Sequence, residues 1–122
     1  MIPLHRPIQF EAVSVAAVET GDYCQVKFVG TDEEERRPYV LLKRKFADLD
    51  DQRCYFESSP PMFAGNFRVR SAKLNPDAFT AYFAGAGFDV RVILREPIRD
   101  YDKFCRILKL ILPDVEIVTA TE

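Results

Sequence analysis

The side chains that could do chemistry are few in this sequence, and their spacing does not gather them. The single histidine, His5, lies near the start, and the three cysteines, Cys24, Cys54 and Cys105, are far apart with no Cys-x-x-Cys pair. A structural zinc site draws Cys and His in clustered pairs, and a cysteine nucleophile needs a general base beside it. Neither pattern is present, so the cysteines read as reduced, mostly buried thiols, and no disulfide, metal or other cofactor is expected. Asp48, Asp50 and Asp51 crowd one turn. A calcium loop of the EF-hand type needs a central glycine and a closing glutamate at fixed spacing, and this turn has neither. Its acids therefore read as a solvated turn or a partner contact. Glu57 and Glu96 would be the paired carboxylates of an acid–base mechanism, but nothing in their spacing brings them together. No catalytic residue is expected.

Four arginines remain. Arg68, Arg70, Arg91 and Arg95 fall on the outward side of strand-like runs. On neighbouring strands they would form a basic sheet face, either an ordinary solvated one or a surface for an acidic partner or a phosphate backbone. Aromatic residues do not interleave with them, so nucleic acid is the less expected partner. The partner-binding candidates are thus the acidic trio and these four arginines.

The elements that must carry these residues fit one domain over 1–122. The chain is 48% hydrophobic and 30% charged with a net charge of −2, ordinary for a folded domain and without a global pull toward polyanions. The run Ala12–Val18 is too short to span a bilayer and follows Glu11 rather than a basic segment, so neither a membrane span nor a signal peptide is read. A cytoplasmic protein is expected.

Alternation places a strand over Ile8–Glu19, a turn at Thr20-Gly21-Asp22 and a second strand over Tyr23–Val29 with Cys24, Val26 and Phe28 inward. The charged run Gly30–Arg37 reads as a loop. Strands follow at Tyr39–Phe46, Cys54–Glu57 and Phe67–Leu74, the last two separated by a Pro- and Gly-containing stretch. Asn75–Gly87 is ambiguous: Asn75 and Pro76 could open a helix, yet Phe79, Ala81 and Phe83 alternate like a strand, with Gly85-Ala86-Gly87 as a hairpin turn into the next strand. Phe88–Arg95 is a clear strand with Phe88, Val90, Val92 and Leu94 inward. Asp100 can cap a helix over Tyr101–Leu112 whose apolar stripe includes Phe104, Leu108 and Ile111, with Pro113 ending it and a short strand or tail at Val115–Thr119. The fold class expected is α+β: a single antiparallel β-sheet with one C-terminal amphipathic helix packed on its inner face.

The stretch Pro38–Leu74 carries a resemblance. Tyr39, Leu42, Lys43 and Arg44 form a Tyr-x-x-Leu strand running into a basic pair, followed by an acidic turn and a Cys-Tyr-Phe-Glu strand. Phe63, Ala64 and Gly65 then make an aromatic-small-Gly loop, and Leu74 and Asp77 precede an alternating hairpin. This order, followed over about Ile8–Leu112, resembles the tenth family of bacterial polymorphic-toxin immunity proteins. The resemblance implies a hairpin rather than a helix within Asn75–Gly87. It also implies a small cytosolic, non-enzymatic protein that binds and neutralises a cognate toxin, a protein partner. Two readings from other classes stay open: a small ligand-binding domain or enzyme with a sheet-face pocket, and a nucleic-acid-binding module using the arginines. The oligomeric state is not legible.

Overall fold

The computed structural model describes residues 6–31, 37–48, 53–59, 63–84 and 88–118. Among the described residues, eight strands and one α-helix follow one another: β1 (Arg6–Glu19), β2 (Tyr23–Gly30), β3 (Tyr39–Lys45), β4 (Arg53–Ser59), β5 (Phe63–Asn75), β6 (Ala78–Phe83), β7 (Phe88–Leu94), α1 (Tyr101–Ile111) and β8 (Glu116–Ile117). A short 3-10 turn, Phe46–Asp48, follows β3. The period-two patterns become strict in and out positions. Cys24, Val26 and Phe28 of β2, Val40 and Leu42 of β3, Cys54 and Phe56 of β4, and Val90, Val92 and Leu94 of β7 are all buried.

The expectation of a single open antiparallel sheet is wrong. β1 to β7 close on themselves as a seven-stranded barrel: β4, β3, β2, β1, β7, β6 and β5 run in that order, and β5 returns to pair with β4. Nor is the sheet wholly antiparallel, because β1 and β7 run parallel. The two longest strands make closure possible by serving two neighbours in succession. Arg6–Ala12 of β1 pairs with β7 and Ala12–Glu19 pairs with β2. Phe63–Arg68 of β5 pairs with β4 and Val69–Asn75 pairs with β6. Each strand has a register shift where it changes partner, between Ala12 and Ser14 in β1 and between Val69 and Ser71 in β5. A bulge bends its strand and sharpens its twist, so these two sites are the corners at which the sheet turns. Alternation reports which side chains point inward; it does not report that the sheet curls until its ends meet.

The ambiguous segment is a strand, β6, rather than a helix: it pairs antiparallel with β7, as the resemblance implied, and with β5 as well, while the Gly85-Ala86-Gly87 turn expected before β7 lies outside the described residues. The Asn75 side chain accepts hydrogen bonds from the backbone N–H groups of Asp77 and Ala78, both at 2.8 Å. The chemistry that would cap a helix here closes a turn between strands. The β1–β2 turn is held in the same way, by Thr20 Oγ1 accepting from Asp22 N at 3.0 Å and Tyr23 N at 3.1 Å.

α1 lies against β1, β2 and β3. Its buried stripe is Phe104, Ile107, Leu108 and Ile111. Phe104 meets the Phe28 ring edge-on at 5.8 Å, and Phe28 stacks across the barrel on Phe79 at 5.0 Å. A second aromatic group joins Phe56 to Phe83 at 4.8 Å and to Phe67 at 6.1 Å. The helix therefore contributes to the core of a closed barrel rather than lying on an open sheet. Asp100 occupies the N-cap position but in the left-handed region, with φ of 52°, and its side chain makes no capping bond, contrary to expectation. A cap is worth about 1 kcal/mol, whereas each buried Phe, Leu or Ile is worth about 1.5–3 kcal/mol, so packing holds this helix in place. At its other end Arg44 Nε donates to the Ile111 carbonyl at 2.9 Å, satisfying one of the acceptors a helix C-terminus leaves open.

Candidate functional site

With one set of side chains filling the barrel, the opposite set of β2, β3, β4 and the first part of β5 forms a continuous outer face. Cross-strand register arranges it in rows. Gln25, Lys43, Tyr55 and Asn66 stand side by side across the four strands. Lys27, Leu41 and Glu57 make the adjoining row. On the other side Tyr23 is level with Lys45 and Arg53 is level with Arg68, and Lys45 and Arg53 lie two residues along from the Lys43–Tyr55 pair, bringing them into one row. Most of these side chains are half-buried by one another rather than fully solvated.

Rigidity comes from one carboxylate. The Tyr39 hydroxyl donates to Glu57 Oε2, and the Tyr55 hydroxyl donates to Glu57 Oε1 at 2.7 Å. The bond from Tyr39, then that from Tyr55, holds the Glu57 carboxyl below its ordinary range. The same bond is the chief reason that the Tyr39 phenol is pushed up to about 12. Lys27 Nζ sits 5.1 Å from the centre of the Tyr39 ring, and Lys43 Nζ sits 4.2 Å from that of Tyr23, both within cation–π range. A cleft of about 470 Å³ opens in this face, lined by residues that include Leu41, Lys43, Lys45, Arg53, Tyr55 and Glu57. Arg44 lines it too, while its guanidinium reaches the helix.

The residues singled out in the sequence fall in different places. Arg68 stands opposite Arg53 at the rim of this face, and Arg70 follows on β5, both exposed. Arg91 lies on β7, level with Thr80 and Gln9, on another part of the barrel. Arg95 is tied to Glu11 at 3.4 Å. The four arginines thus do not make one sheet face. Asp48 ends the 3-10 turn after β3. Asp50 and Asp51 lie outside the described residues. Glu57 is engaged by the two tyrosines, and Glu96 is exposed just beyond β7, on a different part of the barrel. The three cysteines are free thiols. Burial pushes Cys54 up to about 11 and, with Glu19 adding to it, raises Cys24. Among the described residues no group of His, Cys, Asp and Glu could hold a metal ion, and no helix is long and apolar enough to cross a membrane.

Sequence reasoning passed over Tyr23, Lys27, Tyr55 and the tyrosine-clamped role of Glu57. The signal available was the outward half of the same alternation that marked the core. Residues 39, 41, 43 and 45 of β3 and 53, 55 and 57 of β4 must share a face once the two strands pair. Compared with family models, curated proteins and solved structures, the chain matches none of them.

Proposed function

We propose that this protein is a non-enzymatic immunity protein, acting in the cytoplasm, that neutralises a cognate bacterial toxin by binding and occluding it. What supports the reading is that the strands carrying the family resemblance, β3 and β4, also present the pre-arranged face. Tyr39 of one and Tyr55 and Glu57 of the other are fixed by mutual hydrogen bonds, and Lys43 is held over the Tyr23 ring, before any partner arrives. Tyrosine and arginine dominate the energetics of protein interfaces, and side chains already held in place lose less freedom on binding.

The rival readings fit these side chains less well. A general base at neutral pH is served by a raised carboxylate pKa, whereas Glu57 is shifted downward and its oxygens are occupied by two phenols. Stacking on nucleobases needs open aromatic faces, whereas Tyr23 and Tyr39 each carry an ammonium group over the ring. The test is co-production with the products of the adjacent genes, one of which should be a toxin if the reading holds. The expected result is a stable complex and restored growth, without chemical change to either protein. If no product of an adjacent gene binds, the immunity reading is lost.

A further inference from the structure

We infer that the second half of β1 is an open sheet edge that pairs with the same segment of a second copy of this chain, antiparallel about a two-fold axis at Ala16, joining two barrels into a dimer. This surface is separate from the β2–β5 face and does not depend on the toxin-binding reading.

The argument begins at the corners. β1 and β5 each change partner midway, so each half of either strand has one side that its barrel neighbour does not take. Three of these four half-edges are blunted. Arg6–Glu11 carries Pro7 and a charge at each end, and Phe63–Arg68 carries Gly65 and Arg68. Val69–Asn75 is covered in part by β8, which pairs with Lys73 and Leu74. Prolines, charges and covering segments are the usual protection of an edge. Ala12–Val18 has none of these: it reads Ala-Val-Ser-Val-Ala-Ala-Val. Beside it β7 ends at Leu94, Arg95 N donates to the Ala12 carbonyl at 3.3 Å, and the chain passes through Pro97 to α1. Among the described residues no strand pairs with Ser14–Glu19 on the side away from β2. Val13 and Val18, 42% and 40% exposed, are two of the three exposed large apolar side chains of the described residues.

Register identifies the groups on the open side. Thr20 N donates to the Tyr23 carbonyl at 2.8 Å, and across β2 Gly30 N donates to the Pro38 carbonyl at 2.8 Å. Bonded pairs alternate along an antiparallel ladder, so Ser14, Ala16 and Val18 bond to Val29, Lys27 and Gln25, while the N–H and C=O groups of Val15, Ala17 and Glu19 face away. Such a row of donors and acceptors takes another strand, and its side chains choose which. With Ala16 opposite Ala16 of a second copy, Ser14 meets Val18 and Val15 meets Ala17, giving about four inter-chain N–H···O bonds. No like charges oppose one another, because Glu19 falls opposite Val13. The acids flanking the edge are also paired within their own chain, Glu19 with Arg106 at 2.7 Å and Glu11 with Arg95 at 3.4 Å. Small side chains at Ser14 and Ala16 let the edges approach, and pairing covers Val13 and Val18. Two short strands make a small interface, so the dimer is weak and concentration-dependent.

The test is sedimentation of the full chain from about 10 µM to about 1 mM, over which it should pass from monomer towards dimer. Ala16→Glu sets a carboxylate level with Lys27 of its own sheet but opposite another carboxylate across the two-fold axis. It should leave the thermal transition unchanged and weaken the dimer by at least ~10-fold. Tyr82→Glu on β6 should leave dimerisation unaltered. Ala16→Cys gives a second readout. Residues facing each other in a non-bonded pair have Cα atoms about 4.5 Å apart, within disulfide reach, so mild oxidation should give a covalent dimer that neither the parent nor Tyr82→Cys gives. The inference is overturned if the parent stays monomeric throughout, if a folded Ala16→Glu dimerises like the parent, if Tyr82→Glu weakens the dimer as much, or if Ala16→Cys cross-links no faster than Tyr82→Cys. None of these outcomes touches the immunity reading, which stands or falls on the products of the adjacent genes.

Discussion

At the scale of single residues, Glu57 shows how one side chain can organise a surface. Its lowered pKa and the raised pKa of Tyr39 are one hydrogen bond seen from either partner. Glu57 stabilises the fold above its unfolded value of 4.5, and this contribution fades as pH falls through the lower folded value. Tyr39 stabilises the fold below its unfolded value of 10, and its contribution fades as pH rises toward about 12. Tyr39→Phe should therefore flatten the loss of stability at both ends of a pH series of denaturant titrations. The alkaline loss should shrink without vanishing, because burial also raises Tyr101 to about 12. A variant whose acid and alkaline limbs match the parent would show that the bond carries no stability. In the core, Phe104 is 2% exposed and touches Phe28. Phe104→Ala should cost about 3–5 kcal/mol in the same titrations, while Lys103→Ala, on the exposed side of α1, should cost less than about 0.5 kcal/mol.

At the scale of elements, most strands were legible because alternation is a local property. The inward sets of β2 and β7 follow directly from the order of residues such as Cys24-Gln25-Val26-Lys27-Phe28. The segment after Asn75 was not legible from its residues, because an Asn side chain accepting from two following N–H groups serves a helix start and a tight turn alike. Gly30 marks another constraint of this kind. It ends β2 opposite Ala12, beside the β1 corner, and its N–H donates to the Pro38 carbonyl at 2.8 Å. A Cβ there would come within 2.8 Å of Pro38 Cγ and 2.9 Å of a Phe10 ring carbon. Gly30→Ala should accordingly destabilise by about 1–3 kcal/mol, as overpacking does, and lower the melting temperature. An unchanged transition would mean that the β1–β3 junction yields more easily than its spacing indicates.

At the scale of the molecule, the sequence led to an open sheet and the protein closes a barrel. The missing information was non-local. Parallel pairing of β1 with β7 and the return of β5 to β4 join residues far apart in sequence, and no periodicity within either strand encodes its partner. The outer face escaped notice for the same reason, because Lys43, Tyr55 and Asn66 become neighbours only after three strands pair. The candidate arginines, chosen as one group on an imagined flat face, were divided among different parts of the curved one. Three free thiols, two of them buried, give the closed fold no covalent cross-link. Its thermal transition should be the same with and without reductant or a chelator, and a lower midpoint with either agent would reveal a stabilising disulfide or metal.

The Arg44 side chain gives the cleft and the helix a common member. It is 5% exposed, lines the cleft on β3 and donates to the carbonyl at the last residue of α1. Any occupant that restrains β3 also restrains the anchor of the helix C-terminus. Local opening of a helix end is a low-energy event that ligand binding suppresses when it favours the closed form. Amide hydrogen exchange at Leu112, whose N–H donates to the Leu108 carbonyl at 2.8 Å, should therefore slow when an occupant fills the cleft. In Arg44→Gln the basal exchange should be faster and its response to an occupant smaller. The far side of the barrel wall would then report, proton by proton, what is held on its outside.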